Sequence, residues 1–336
     1  MQADVSLKAL LEVEWLFLSN LSPRELVLWA KVSRRMRDGV HTFVTRAYDV
    51  SRLLSHHGIA EQDVWSFRYL QRFTGLVISG PTAVQFFTRQ YSTKSTLDLF
   101  VESRYAMRVV HWMTIRGFGI KGIATKTSRI VDWSKFRQNG YTLYDEAVVV
   151  MKLTKGQSKV QIISSFLPPL ALILQLESTA LHNVITGEKA ICIHPQAMHA
   201  RKSFMLNENQ VSLNTYDRER MKKWLKTQGY STFPLTASDS TVSRYIIAGT
   251  RRLGDPFCWS IDLPPLPVSN CNVLEKNGFE IVDVDGEYYV IFQVFTGLYT
   301  KFFHVFPPTQ SRYRPYESPM DKSLRESLEK GLSHMD

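Results

Sequence analysis

Few residue patterns in this chain are suited to chemistry. The apolar run Leu76-Val77-Ile78 ends in Ser79-Gly80, and a helix is expected from Thr82 to Phe87. A second run, Thr96 to Val101, alternates polar and apolar residues as a strand does, and it carries Asp98. Alternate strand residues share a face, so two carboxylates two apart could grip the same divalent ions. The residue two before Asp98 is Thr96, however, and Glu102 would stand roughly 13 Å away along the strand. Taken alone, Ser79-Gly80 reads equally as a tight strand-to-helix turn, and Asp98 as a surface residue on a half-buried strand. Cys192 and His194 would share a strand face near His199, but no fourth ligand accompanies them, and strand alternation accounts for the spacing. Asp283 and Asp285 repeat the two-apart pattern, yet Asp285 precedes Gly286 in an expected hairpin turn, where aspartate serves the backbone. No Ser-His-Asp grouping is recognisable. Arg218, Arg220, Lys222, Lys223 and Lys226 make a basic helix beside Tyr216 and Trp224 that could meet RNA phosphates. Met221, Trp224 and Leu225 fall at the spacing of a core stripe, which makes those charges a solvated face.

The elements that must position these residues follow from periodicity. Leu7, Leu10, Leu11, Trp15 and Leu18 recur at three- and four-residue steps, the pattern of a helix with one buried face. Ser22-Pro23-Arg24-Glu25 is a capping box with proline at the first helical position. The helix it opens carries Leu26, Trp29, Ala30 and Met36 on one side. Lys31, Arg34, Arg35 and Arg37 are expected at its C-terminal end, where cations suit the helix dipole. Residues 1–50 thus read as a helical hairpin, too small to fold alone. A helical stretch over 50–75, a helix over Tyr105–Arg116, and strands over Ala147–Leu153 and Lys159–Ser164 joined at Lys155-Gly156 are expected next. Pro168–Glu177 begins a helix, Asn183–Ile185 and Ala190–His194 are strand-like, and Arg218–Thr227 is a helix closed by Gly229. Ile281–Val284 and Tyr288–Ile291 flank Asp285-Gly286 as a hairpin.

Composition bounds the class. The chain has 336 residues, 44% of them hydrophobic, enough for a sizeable core and too many for a disordered chain. Three cysteines, Cys192, Cys258 and Cys271, make no disulfide framework and suit a reducing compartment. Met1–Leu11 lacks a basic stretch followed by an apolar core, so no secretory signal is expected. The longest apolar run, Phe166 to Leu176, is broken by Pro168-Pro169 and falls short of the roughly 20 residues that span a bilayer. A cytoplasmic or nuclear location and no membrane contact are expected. The net charge of +10 is spread along the chain, so it permits a nucleic-acid partner without requiring one.

The stretch from Ser79 to Glu102 resembles the nucleotidyltransferase-fold family. That resemblance implies that Ser79-Gly80 is a phosphate-holding turn and that positions 96, 98 and a later strand position, Gln161, correspond to three metal-binding carboxylates. Only Asp98 of the three is acidic, too little charge for two hydrated Mg²⁺ ions. Asp98, Thr96 and Gln161 are then vestigial catalytic positions, and Ser79 and Gly80 a vestigial phosphate turn. Phe86-Phe87, Leu97 to Glu102, Ser178-Thr179, Asn183 to Thr186 and Gly254-Asp255-Pro256-Phe257-Cys258-Trp259 extend the resemblance to a large group of fungal proteins. Many of these carry an F-box-like N-terminal segment. Leu21 to Leu26 and Lys31 to Arg37 are similar to the second half of an F-box, although Leu10-Leu11-Glu12-Val13-Glu14 lacks the Leu-Pro that opens one. The F-box resemblance implies a Skp-type adaptor subunit of a cullin ubiquitin ligase as partner, met by Leu18, Leu21, Pro23, Leu26 and Val32. The alternative is a set of helices packed on the α/β domain.

The expected fold is α+β (mixed α/β). Residues 1–50 form an F-box-like helical segment, 51–265 a nucleotidyltransferase-like domain, 266–310 a β-hairpin extension of it and 311–336 a polar tail. The expected function is a non-catalytic protein-binding adaptor that recruits an unknown protein client, with no cofactor and no metal. A metal-dependent nucleotidyltransferase and an RNA-binding pseudoenzyme are the alternatives.

Overall fold

The structure, a computed structural model, describes residues 12–91, 95–132, 142–206, 218–235, 242, 244–266, 278–284, 287–296 and 299–304. Leu7, Leu10, Leu11, Tyr216, Cys271, the Asp285-Gly286 turn and the tail 311–336 lie outside these residues. The fold is α+β, with helices flanking a mixed sheet.

Three helices open the described chain: α1 (residues 12–20), α2 (Pro23–Ala30) and α3 (Arg34–Ala47). The capping box at Ser22 is formed in full. The Glu25 amide donates to Ser22 Oγ at 3.3 Å, and the Ser22 amide donates to Glu25 Oε2 at 2.6 Å. The helix it starts ends at Ala30, eight residues on, because Ser33 begins another, its Oγ accepting from the Met36 amide at 3.2 Å. Arg34, Arg35 and Arg37 therefore stand in the first turn of α3 rather than at the C-terminal end of α2, and the dipole there works against them. Leu18, Leu26, Val40 and Phe43 form a small core between the three helices.

Two helices lead into the sheet, α4 (Val50–His56) and α5 (Glu61–Thr74). Strand β1 (Val77–Ser79) runs into α6 (Gly80–Thr88), β2 (Thr96–Glu102) into α7 (Ser103–Thr114), and β3 (Gly119–Asp132), β4 (Thr142–Lys155) and β5 (Ser158–Ser165) follow. Strand β3 runs through residues with no regular apolar alternation, its pairing supplied by β4 along nearly its whole length. The helix expected over Pro168–Glu177 is a single turn, α8 (Pro169–Ile173), followed by a 3-10 turn at Thr179–His182. Next come β6 (Val184–Ile185), β7 (Lys189–Cys192), α9 (Pro195–His199), β8 (Lys202–Met205), the basic helix α10 (Arg218–Thr227) and β9 (Ser231–Pro234). Strands β10 (Gly249–Arg252), β11 (Trp259–Asp262), β12 (Gly278–Val284), β13 (Glu287–Thr296) and β14 (Tyr299–His304) complete the order.

Among the described residues the main sheet runs β10-β12-β13-β14-β3-β4-β5-β2-β1-β6-β7-β11. All its neighbours are antiparallel except β2 and β5. The register Val284↔Glu287 fits the hairpin expected around residues 285–286. Residues 97–101 of β2 are buried on both faces, as a central strand requires. The outermost strands, β10 and β11, are joined by residues 253–258 alone, so the sheet curls back on itself.

Candidate functional site

The sheet register brings together the residues singled out around Asp98. Ser79 stands directly opposite Asp98 on the antiparallel neighbour, and Gln161 directly opposite it on the parallel one. Thr96 lies one pleat repeat earlier on β2, beside Lys159. Gly80 opens α6 at φ 67°, a left-handed conformation that suits glycine, so the strand-to-helix turn is a tight one. Ser79 and Asp98 are fully buried at 0% and 1% exposure, and Gln161 is half-buried. The Ser79 hydroxyl lies 2.7 Å from the Asn183 carbonyl and 3.0 Å from that of Leu181, so it donates to the segment around the 3-10 turn. Both bonds go to backbone carbonyls of that segment, and Ser79 is closed to solvent. The Thr82 hydroxyl likewise donates to the Thr96 carbonyl at 2.8 Å. One carboxylate among Thr96, Asp98 and Gln161 lacks the charge for a two-ion clamp.

The Ser178–Thr186 stretch is bonded within itself and to β8. Thr179 Oγ1 accepts from the Phe204 amide at 3.0 Å, and Asn183 Nδ2 donates to the Ala180 carbonyl at 2.8 Å. The Ser178 and Ser203 hydroxyls share a hydrogen bond. Burial lowers His182 to about 4, and it lowers His194 well below its ordinary value, with His182 and Arg251 adding to the effect, so both rings are neutral near pH 7. Cys192 contacts the Met198 sulfur at 3.6 Å, and burial raises its thiol. His199 lies against the Trp259 ring at 5.7 Å. Among the described residues no group of three metal-ligating side chains converges, so Cys192, His194 and His199 are not brought together as a metal centre.

The Gly254–Trp259 motif is a structural staple. Arg251, 1% exposed, donates from Nε and Nη2 to the Asp255 carboxylate at 2.6 and 3.0 Å, and Nη2 also reaches the Ile193 carbonyl at 3.3 Å. Asp255 also accepts from the amides of Arg252, Phe257 and Cys258 at 3.1, 3.0 and 3.1 Å. Burial pushes the Asp255 carboxyl up, but the bonds from Arg251 and the Arg252 amide outweigh it and the net shift is downward. Cys258 is pushed up to about 11, first by burial and then by Asp255, so its thiol is no ready nucleophile.

The expected partner-facing residues divide by burial. Leu18 and Leu26 are enclosed in the small core of the three helices, and Leu21 is half-buried against it. Neither Leu18 nor Leu26 is available to a partner, because a segment this small must spend its best-placed leucines on its own core. Pro23 occupies the first helical position of α2, and Val32 is exposed at 65%. The apolar side chains facing outward from these helices and from the turn between α2 and α3 include Val13, Trp15, Leu16, Phe17, Val27, Leu28 and Val32. In the basic helix α10, Met221 and Leu225 are buried as their spacing predicted, and Lys222 pairs with Glu219 at 2.7 Å.

One surface escaped the sequence reading. Helix α5 buries Val64, Phe67, Arg68, Gln71 and Thr74, and exposes Trp65, Tyr69 and Phe73, an aromatic stripe at four-residue steps. The inversion has a visible cause. Arg68 donates from Nε to the Gly187 carbonyl at 3.0 Å and also bonds the Pro264 carbonyl, while Gln71 donates to the Ile185 carbonyl at 3.0 Å. Polar residues thus satisfy the backbone of the β6–β7 hairpin, and the aromatics are left outside. The spacing was visible in sequence, but it reads as a core stripe. Among the described residues no helix is long and apolar enough to cross a membrane. No protein-family model matches the chain, and no curated protein or solved structure matches it.

Proposed function

We propose that this protein is a non-catalytic adaptor whose N-terminal helices, F-box-like in character, dock on a Skp-type subunit while the α/β domain holds a protein client. The observation that carries this reading is the outward-facing apolar set that includes Val13, Leu16, Phe17, Val27, Leu28 and Val32, on a three-helix module that already fills its own core with Leu18, Leu26, Val40 and Phe43. Apolar surface of that extent on a small module fits a partner's surface better than water. The exposed stripe Trp65, Tyr69 and Phe73 on α5 is a second aromatic surface, suited to a client. The non-catalytic half is supported by the burial of Ser79 and Asp98 and by the absence of acids at positions 96 and 161.

Co-purification of the full chain with a Skp-type subunit tests this. Leu16→Asp and Leu28→Asp should abolish the complex and leave the thermal midpoint of the free chain in place. If wild-type protein forms no such complex, the adaptor reading is lost. A Mg²⁺-dependent stabilisation by nucleoside triphosphates that Asp98→Asn removes would overturn the non-catalytic half instead.

A further inference from the structure

A cavity of about 570 Å³ lies where the N-terminal helices meet the α/β domain. Its walls include Arg52 of α4, Arg89 at the end of α6 and Arg201 after α9, together with Tyr91, Trp15 and Ser22. That size falls within the range of small-molecule sites. We propose that this cavity binds a small phosphate-bearing ligand, inorganic phosphate or a phosphomonoester, held by Arg52, Arg89 and Arg201.

Four observations converge on it. First, none of the three guanidinium groups forms an ion pair among the described residues. Arg89 Nη2 donates to the Leu21 carbonyl at 3.1 Å, Arg201 Nη1 donates to the Gln228 carbonyl at 3.3 Å, and Arg52 lies over the Tyr91 ring at 5.4 Å. Each keeps donors in hand, and guanidinium forks suit phosphate oxygens. Second, Arg89 and Arg201, at φ 58° and 51°, are the non-glycine residues in the left-handed region among those described, and both line this one cavity. Strain of that kind concentrates at sites where the side chain must be aimed. Third, the hydroxyls of Tyr48 and Tyr91 are buried with no hydrogen-bond partner among the described residues. The Arg89 guanidinium lies 5.7 Å from the Tyr48 ring, and that of Arg52 lies 5.4 Å from the Tyr91 ring. Of the two, only Tyr91 is on the cavity wall, beside Arg52, and Tyr48 lies behind it. Fourth, the cavity wall carries three arginines against a single acid, Glu25. The Glu25 carboxylate is held in the capping box, where it accepts from the Ser22 amide.

The ligand would touch both the Leu21–Ser22 turn and the end of α6, and so would tie the N-terminal helices to the domain. This inference does not depend on the adaptor reading. Calorimetry on the full chain, titrating inorganic phosphate and then phenyl phosphate at constant ionic strength, tests it. Saturable binding of one or both is expected. Arg52→Gln should weaken it about tenfold or more, the loss of one charged hydrogen bond. Tyr91→Phe should weaken it by a smaller factor while the unliganded thermal midpoint stays unchanged. No saturable binding of either probe at millimolar concentration, equal binding by both variants and wild type, or binding of a phosphopeptide alone would each overturn the proposal.

Discussion

Asp255 and Asp98 are both aspartates in the α/β domain, and their surroundings give them different roles. Asp255 pairs with an arginine that is 1% exposed, so removing the acid strands a buried charge. Asp255→Ala is expected to destabilise the protein by about 3 kcal/mol, read by urea unfolding. The histidines set a pH limit. His57 and His182 are each lowered to about 4 by burial, with His56 adding to the shift at His57 and the Leu176 carbonyl opposing it at His182. Between their ordinary value of 6.5 and about 4, the unfolded chain binds protons that the folded chain refuses. The contribution of these two groups is therefore full above 6.5, is lost as pH drops towards 4 and changes no further below it. A thermal midpoint that declines across this window, and declines less in His182→Gln, is the expected outcome.

At the scale of elements, exposure separates residues that share a helix. Leu26 and Leu28 both lie on α2, the first enclosed and the second 54% exposed. Leu28→Asp should move stability by no more than about 0.5 kcal/mol, whereas Leu26→Ala should cost about 3 kcal/mol and loosen all three N-terminal helices, as amide exchange would report. Ser22→Ala removes one arm of the capping box and should cost about 1 kcal/mol. On α5 the contrast is between Phe67, buried at 0%, and Phe73, exposed at 68%. Phe67→Ala should cost about 4 kcal/mol. Phe73→Ala should leave the folded state nearly untouched and reduce client capture instead. The β6–β7 hairpin is held just as tightly, since a Cβ at Gly187 would meet the Arg68 carbonyl oxygen at 2.6 Å. Gly187→Ala should therefore cost about 2 kcal/mol by overpacking.

For the whole molecule, the curled sheet joins segments far apart in sequence. Its middle, β5-β2-β1-β6, carries the Ser79–Asp98–Gln161 line, and the C-terminal strands continue the sheet through β10 on one side and β3 on the other. Arg89 ties the N-terminal helices to this body through the Leu21 carbonyl and by lying 5.3 Å from the Phe43 ring. Features that depend on near neighbours were readable from the chain: the Ser22 capping box, the strand character of Thr96–Val101, the basic helix ending before Gly229 and the pairing of β12 with β13. Each is decided within a few residues by hydrogen-bond geometry and side-chain periodicity. The sequence also determined that Thr96 and Gln161 are not acids, which limits the chemistry whatever the fold. Only the tertiary structure decided that Leu26 faces inward and Leu28 outward, that α5 turns its arginine in and its aromatics out, and that Asn183 closes over Ser79. It likewise decided that Arg52, Arg89 and Arg201 line one cavity. The physical reason is the same in each case: burial and convergence depend on what packs against a residue, and the partners lie up to 196 residues away along the chain.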